Sequence, residues 1–194
     1  MQTTDRTPLI DAAPAREIRR RSALLIWAGV GLSVFALDQG SKAWAETSLR
    51  DGVAHPLLGS WLQLHLTFNP GAAFSLGTSY TVGLSLVALV VIAVCMRMSR
   101  RLGSRWWAVA LGLLLGGALG NVTDRLFRSP GPFRGHVVDF LELPHWPVFN
   151  VADSAICGAA ALFLVLTLRG VRLDGSIEGP VAADEATAEP RNAR

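Results

Sequence analysis

The sequence is poor in charged residues. Only 17% of its 194 residues are Asp, Glu, Lys or Arg, whereas 51% are hydrophobic. A soluble globular domain carries about 25% charged residues, and the few charges here crowd the two ends and some short loops. The composition therefore excludes an ordinary soluble domain and predicts one compact membrane-embedded unit.

Cysteine and cofactor motifs are also scarce. Cys95 and Cys157 both lie in apolar runs, so the chain has no disulfide framework and no CxxC pair, and we interpret both as small buried hydrophobic residues. No HExxH, Walker or dinucleotide motif occurs, and we expect no metal or cofactor. The net charge of +3 could indicate a nucleic-acid partner. However, arginine clusters beside apolar runs are more typical of membrane topology, so no nucleic-acid partner is expected.

Four long apolar runs are present, and each is long enough to cross a bilayer. The predicted spans are residues 23–44, 80–98, 106–125 and 148–168. The basic segment 1–21 and the Ala-, Glu- and Pro-rich tail 171–194 are predicted to be disordered, which leaves 22–170 as the membrane domain. With four spans the arginine clusters fall on one side, and the positive-inside rule places both termini in the cytoplasm.

The segment 46–77 on the opposite side has a different pattern. Residues 61–68 alternate, which predicts a strand with Leu62, Leu64, Leu66 and Phe68 on one face. This apolar face could rest on the membrane or cover a substrate. We therefore expect a small sheet at the outer membrane surface.

The third span carries glycine at every fourth position. Gly112, Gly116 and Gly120 lie in one row, which predicts a flat helix face that presses against a neighbouring helix.

Three of the spans deliver an acid to the same depth. Asp38, Asp124 and Asp153 each lie roughly 24–28 Å of helix from the arginines at the other end of their span. In a hydrocarbon core of about 30 Å, all three arrive just inside the outer boundary. A carboxylate there costs on the order of 2.5–3.5 kcal/mol, so it is usually present for function.

The acids fall into two groups by their sequence neighbours. Asp38 has Lys42 four residues on and Asp124 is followed by Arg125, so these pairs are predicted to be interfacial anchors and interhelix hydrogen-bonding groups. Asp139 and Asp153 have no basic residue at helical spacing. Two such carboxylates near each other share a proton, so that one can activate water while the other protonates a carbonyl oxygen. This pattern favours peptide hydrolysis without a covalent intermediate.

Other chemistries remain open at this point. Cys157 with His136 or His145 could form a nucleophilic pair, although a thiolate is disfavoured in lipid. His136, His145 and Asp139 could bind zinc, but their spacing is unspecific, and His136 is more readily an interfacial hydrogen-bonding group. A transporter would have acids near the bilayer centre and inverted repeats, and the sequence shows neither. A non-catalytic anchoring protein held by the glycine face is a further alternative.

Five short motifs occur in a fixed order: Asp38-Gln39-Gly40-Ser41-Lys42, Asn69-Pro70-Gly71-Ala72-Ala73-Phe74, Gly116 to Arg125, Val137-Val138-Asp139-Phe140 and Phe149-Asn150-Val151-Ala152-Asp153. Together they resemble the lipoprotein signal peptidases, or signal peptidase II, over about Ser22 to Leu168. The resemblance implies a mainly α, polytopic membrane fold with four spans, an extracytoplasmic β-sheet cradle and a short outer helix or flap, which we place in residues 126–147. Ser129 to Phe133 lengthens the link between Arg125 and Asp139 and makes the shape of that stretch hard to predict.

The resemblance also implies the activity. It indicates an aspartic endopeptidase of the bacterial cytoplasmic membrane that is active at the outer face and inhibited by globomycin. The fold could work as a monomer in contact with membrane lipid, and we expect no cofactor. Its substrate would be a prolipoprotein whose cysteine carries a diacylglyceryl group, cut just before that cysteine. By motif the catalytic residues would be Asp139 and Asp153. The matching supporting and substrate-binding positions are Asp38, Lys42, Asn69, Gly71, Asn121, Asp124, Arg125 and Asn150.

Overall fold

The computed structural model describes residues 12–71 and 81–177, with side chains from Arg16 onward. The elements in chain order are α1 (Ala12–Ser48), β1 (His55–Leu58), β2 (Leu62–Asn69), α2 (Thr81–Ser99), α3 (Arg105–Phe127), β3 (Val137–Glu142) and α4 (Val151–Leu168). All four helices are long and apolar enough to cross a membrane. The predicted mainly helical, four-span architecture is confirmed, and the last three spans begin and end within three residues of the predicted boundaries.

The first helix begins earlier than predicted. It starts at Ala12, so the prediction of disorder up to residue 21 is wrong for residues 12–21, while residues 1–11 lie outside the described residues. Proline is compatible with the first turn of a helix, where Pro14 lies. Glu17 and Arg21 form an i,i+4 ion pair at 2.6 Å. The helix therefore continues from the membrane into the basic segment.

The start of the predicted disordered tail is ordered as well. The backbone N–H groups of Gly103 and Ser104 donate to the carbonyl oxygen of Leu173 at 2.9 and 3.0 Å. The indole N–H of Trp107 donates to the carbonyl oxygen of Val171 at 2.7 Å. Residues 171–177 are held against the loop between α2 and α3 by these contacts, which the local sequence did not indicate. The rest of the tail, 178–194, lies outside the described residues.

Helix α3 is central, because α1, α2 and α4 all pack against it. Its glycines let the neighbouring backbones approach closely. A Cβ atom at Gly116 would lie 2.6 Å from the carbonyl oxygen of Gly31, and one at Gly112 would lie 2.8 Å from another carbonyl oxygen of α1. A Cβ at Gly117 would lie 2.6 Å from the carbonyl oxygen of Ala152 on α4. The predicted flat face is confirmed, and its partner is α1.

The three described strands form an antiparallel sheet in the order β1-β2-β3. Strand β2 confirms the strand predicted from the alternating residues. Its Leu64 and Leu66 pack on a cluster of Ala45, Leu49 and Phe140. The expectation that these two leucines rest on the membrane or cover a substrate is therefore wrong. They join the sheet to the end of α1.

The connection from α3 to α4 differs from the predicted flap. Between Arg128 and Asn150 the chain forms turns, strand β3 and an isolated bridge, and these residues contain no helix. The N–H of Gly135 donates to the carbonyl oxygen of Arg125 at 3.1 Å, so the chain folds back over the end of α3. It then pairs with β2 along Val137–Glu142. Strand pairing replaces the short helix that we placed in residues 126–147.

Candidate active site

A buried ion cluster connects the ends of α1 and α3. Lys42, Asp38 and Asp124 all have side chains that are 0% exposed. The Lys42 Nζ lies 2.7 Å from Asp38 Oδ2 and 2.8 Å from Asp124 Oδ2. The other oxygen of Asp38 accepts a hydrogen bond from the N–H of Ala152 at 2.9 Å, which ties α1 to the start of α4. These acids are the interhelix hydrogen-bonding groups that the sequence predicted.

The second cation of this cluster was assigned to the wrong residue. Asp124 Oδ1 lies 2.7 Å from the Nε of Arg128, and the predicted pair with Arg125 does not form. Residues four apart face each other on a helix, whereas adjacent residues diverge, so Arg128 is the geometrically reachable arginine. Arg128 also pairs with Glu46 of α1.

Sequence reasoning also left out Gln39. Its side-chain nitrogen donates to Asp38 Oδ2, to the carbonyl oxygen of Gly120 and to Asp124 Oδ1 at 3.1 to 3.3 Å. Its place inside the first of the five motifs was the feature of the sequence that could have indicated its role.

Asp139 and Asp153 come from two different elements. Asp139 lies within β3 and is 2% exposed. Asp153 lies in the first turn of α4, and its backbone N–H donates to Asn150 Oδ1 at 2.9 Å. The N–H of Asn150 donates back to Asp153 Oδ2 at 3.3 Å, which completes a capping box. The position of Asp153 is therefore fixed by the start of its own helix.

Asn121 and Asn150 join these two acids into one network. The Asn150 Nδ2 donates to Asp139 Oδ1 at 2.7 Å and to Asn121 Oδ1 at 3.2 Å. The Asn121 Nδ2 in turn donates to Asp153 Oδ1 at 2.8 Å. Lys42 Nζ donates to Asn121 Oδ1 at 3.1 Å, which links the network to the buried ion cluster.

The far side of Asp139 is held by the last residue of β2 and the turn that follows it. The Asn69 Nδ2 donates to Asp139 Oδ2 at 2.9 Å, and the N–H of Gly71 donates to Asn69 Oδ1 at 2.8 Å. Gly71 has φ of 105°, a conformation that favours glycine. Arg125 donates to the carbonyl oxygen of Asn121 at 3.3 Å. The structure thus brings together the two predicted catalytic acids and all eight predicted supporting positions.

The two groups of acids differ in charge compensation. Asp38 and Asp124 contact Lys42 directly, whereas neither Asp139 nor Asp153 has a cation at ion-pair distance in the described part of the chain. Burial raises the pKa of Asp139 from 3.8 to about 6, and the negative charge of Asp153 contributes to this rise, against the lowering effect of hydrogen bonds such as that from Asn69. This environment makes Asp139 easier to protonate than an exposed aspartate, and half of the Asp139 carboxyl groups carry a proton at about pH 6.

The zinc alternative finds no site among the described residues, and the cysteine of the nucleophilic alternative is exposed. Cys157 is exposed on α4, so the interpretation of both cysteines as buried is wrong for this one and confirmed for Cys95. Cys157 can lie in an apolar run and still be exposed, because lipid rather than protein can cover an apolar side chain of a spanning helix. Within residues 16–71 and 81–177, no group of three or more His, Cys, Asp or Glu side chains is placed to hold a metal ion.

The four long apolar helices and the three-stranded sheet define a multi-pass membrane fold. Two bacterial membrane enzyme structures obtained by the in meso method share it, with TM-scores of 0.65 and 0.64 and 24% identity. They cover 77% and 76% of this chain and 94% and 88% of their own.

Sequence comparison gives the family. The family model for Signal peptidase (SPase) II matches residues 30–169. The lipoprotein signal peptidase of Leifsonia xyli subsp. xyli is 45% identical over 185 residues, which cover 95% of this chain and 86% of that protein. The lipoprotein signal peptidase of Mycobacterium avium is 47% identical over 167 residues, covering 86% and 91%. The chain belongs to the signal peptidase II family, as its five motifs indicated.

Proposed function

We propose that this peptidase removes signal peptides from diacylglyceryl-modified prolipoproteins by aspartic catalysis, cutting just before the lipidated cysteine. The name shared by its relatives, lipoprotein signal peptidase, supports the substrate class. One observation carries the mechanism. Asp139 and Asp153 are joined through Asn121 and Asn150 and lack the cations that neutralise the neighbouring acids.

The environments of the two acids support different roles for them. Asp139 is buried, and its raised pKa favours the protonated form, so it is the acid toward the substrate carbonyl oxygen. Asp153 lies at the start of α4 and accepts hydrogen bonds from Asn121 and from the N–H of Asn150, so we assign it as the base that takes a proton from water. The resulting hydroxide adds to the carbonyl carbon. When the C–N bond breaks, the leaving nitrogen takes a proton from the pair.

The surrounding groups orient this pair. Asn121 and Asn150 each hold one carboxylate, and Lys42 holds Asn121 in turn. Arg125 is attracted by Asp153 and Asp139, and its buried Nε–H has no hydrogen-bond partner among the described residues. We assign this donor to a carbonyl oxygen of the bound substrate.

The position of the pair in the membrane suits a lipidated substrate. The arginine clusters lie at the other end of the spans, so the positive-inside rule places the pair at the outer face and both termini in the cytoplasm. Leu58 and Trp61, at the turn between β1 and β2, are 65% and 71% exposed, which suits contact with the membrane surface. The substrate then enters from the bilayer with its acyl chains still in lipid, and one monomer supplies the whole site.

The decisive experiment is cleavage of a lipidated precursor by the purified protein. Asp139→Asn and Asp153→Asn should each lower kcat by at least about 100-fold, which is the usual loss when an acid or base is removed. Asp51→Asn, which removes an exposed carboxylate before the outer sheet, is the matched control and should remain active. Normal turnover by either folded dyad variant would exclude the mechanism. A precursor without the diacylglyceryl group should remain uncut, and its cleavage would exclude the proposed substrate specificity.

A further inference from the structure

A large cavity lies at the membrane end opposite the acid pair. It has a volume of about 990 Å³ and is lined by five arginines: Arg16, Arg19, Arg20, Arg100 and Arg101. We propose that this basic cavity binds the phosphate headgroup of an anionic phospholipid. The peptidase chemistry does not use this site.

Three segments that are distant in sequence build the cavity walls. They are the start of α1, the loop between α2 and α3, and the turn 171–177 that follows α4. The turn is fixed to the loop by the two hydrogen bonds to Leu173, and Gly103 allows this contact, because a Cβ there would lie 3.0 Å from the carbonyl carbon of Asp174. Gly175, with φ of 87°, lies against the guanidinium group of Arg19.

The acids of the cavity compensate its positive charge only in part, because Asp174 attracts Arg16 while the other lining arginines exceed the carboxylates in number. Its lining contains two carboxylates, Glu17 and Asp174. Glu17 is paired with Arg21, which lies outside the lining, and Asp174 Oδ1 accepts from the N–H and hydroxyl of Ser176 at 2.9 and 2.7 Å. None of the five lining arginines has a carboxylate at ion-pair distance among the described residues. With five arginines against two carboxylates, the lining keeps an excess of positive charge, which attracts an anion.

The depth of the cavity selects a lipid phosphate. Arg20 lies three residues before Ala23, where the apolar run of α1 begins, and Arg100 directly follows the last residue of α2. The guanidinium groups are therefore at the level of lipid headgroups. Arginine matches phosphate oxygens in a bidentate geometry, and basic pockets between membrane helices bind anionic headgroups.

The test measures lipid retained by the full-length protein in detergent, by native mass spectrometry after titration with phosphatidylglycerol or phosphatidylcholine. Arg100→Gln with Arg101→Gln removes two lining cations. The matched control, Arg97→Gln with Arg169→Gln, removes two exposed cations from the same membrane end outside the cavity. Each basic residue near an anionic lipid is worth roughly five-fold in affinity, so the cavity variant should bind phosphatidylglycerol roughly 25-fold more weakly. The control should bind it as the unmodified protein does.

Each alternative outcome would overturn the proposal. Equal retention of phosphatidylcholine would show that charge does not select the lipid, and equal affinity in the cavity variant would move the site elsewhere. If millimolar inorganic phosphate displaced bound phosphatidylglycerol as effectively as added phosphatidylglycerol does, the ligand of the cavity would be free phosphate. Binding only after removal of residues 178–194 would show that the acidic tail occupies the cavity in the full chain. Thermal unfolding of each variant confirms that it is folded.

Discussion

Replacement of Lys42 by methionine tests the buried ion cluster most directly. The change removes the cation that lies 2.7 Å from Asp38 and 2.8 Å from Asp124. Asp124 keeps Arg128 at 2.7 Å, but Asp38 keeps only neutral donors, the N–H of Ala152 and the amide of Gln39. Leaving one buried charge without its partner costs about 3–5 kcal/mol. Since a folded domain is stable by about 5–15 kcal/mol, this loss should be large enough to measure easily.

The matched rescue is Lys42→Met combined with Asp38→Asn. The asparagine oxygen can still accept from the N–H of Ala152, and no charge is left unpaired. The double variant should recover most of the lost unfolding free energy, measured by denaturant titration in mixed micelles. Its activity should remain at least about tenfold below normal, because Asn121 loses the donor that orients it toward Asp153. A single variant as stable as the unmodified protein, or a double variant as unstable as the single one, would refute the reasoning.

Four further predictions concern the packing and the site. Gly116→Ala should lower the unfolding free energy by about 1–3 kcal/mol, because the new Cβ would lie 2.6 Å from a backbone oxygen of α1. The control Gly40→Ala places its Cβ in open space and should be neutral or stabilising. Equal effects of the two variants would contradict the described packing. The pKa of Asp139 is about 6 in the folded protein, against the ordinary value of 3.8 that applies to the unfolded chain. The protonated carboxyl therefore contributes fully to the unfolding free energy below about pH 4, and up to about 3 kcal/mol of it is lost as the pH rises through 6. Asp139→Asn should remove this pH dependence in unfolding titrations. The value of kcat/KM should fall on the alkaline side with an apparent pKa of about 6 or higher, as the shared proton is lost, and a flat profile to pH 9 would exclude a role for that proton. Cys157→Ala should leave turnover unchanged, and a folded but inactive variant would indicate thiol chemistry. A chelator should also leave turnover unchanged, whereas globomycin should inhibit it.

The outer sheet shows why side-chain contacts escaped prediction. Period-two alternation correctly indicated β2, because successive side chains of a strand point to opposite faces. The same pattern could not say what covers the apolar face, since Leu64 and Leu66 pack on residues of α1 and β3 that are distant in sequence. For the same reason the turn 171–177 looked disordered, although the loop between α2 and α3 holds it in place.

The sequence by itself determined the membrane class, the four spans and the glycine face of α3, because hydropathy and helical periodicity are local properties. It also identified Asp139 and Asp153 as the acids that have no basic residue at helical spacing. Only the tertiary structure decided which acids are neutralised: Lys42 pairs with Asp38 and Asp124, and Arg128 rather than Arg125 completes the cluster. These pairings depend on how far each helix is rotated about its axis and how closely its neighbours approach. No local pattern encodes that rotation. In the arrangement that results, Asp139 and Asp153 are joined through Asn121 and Asn150.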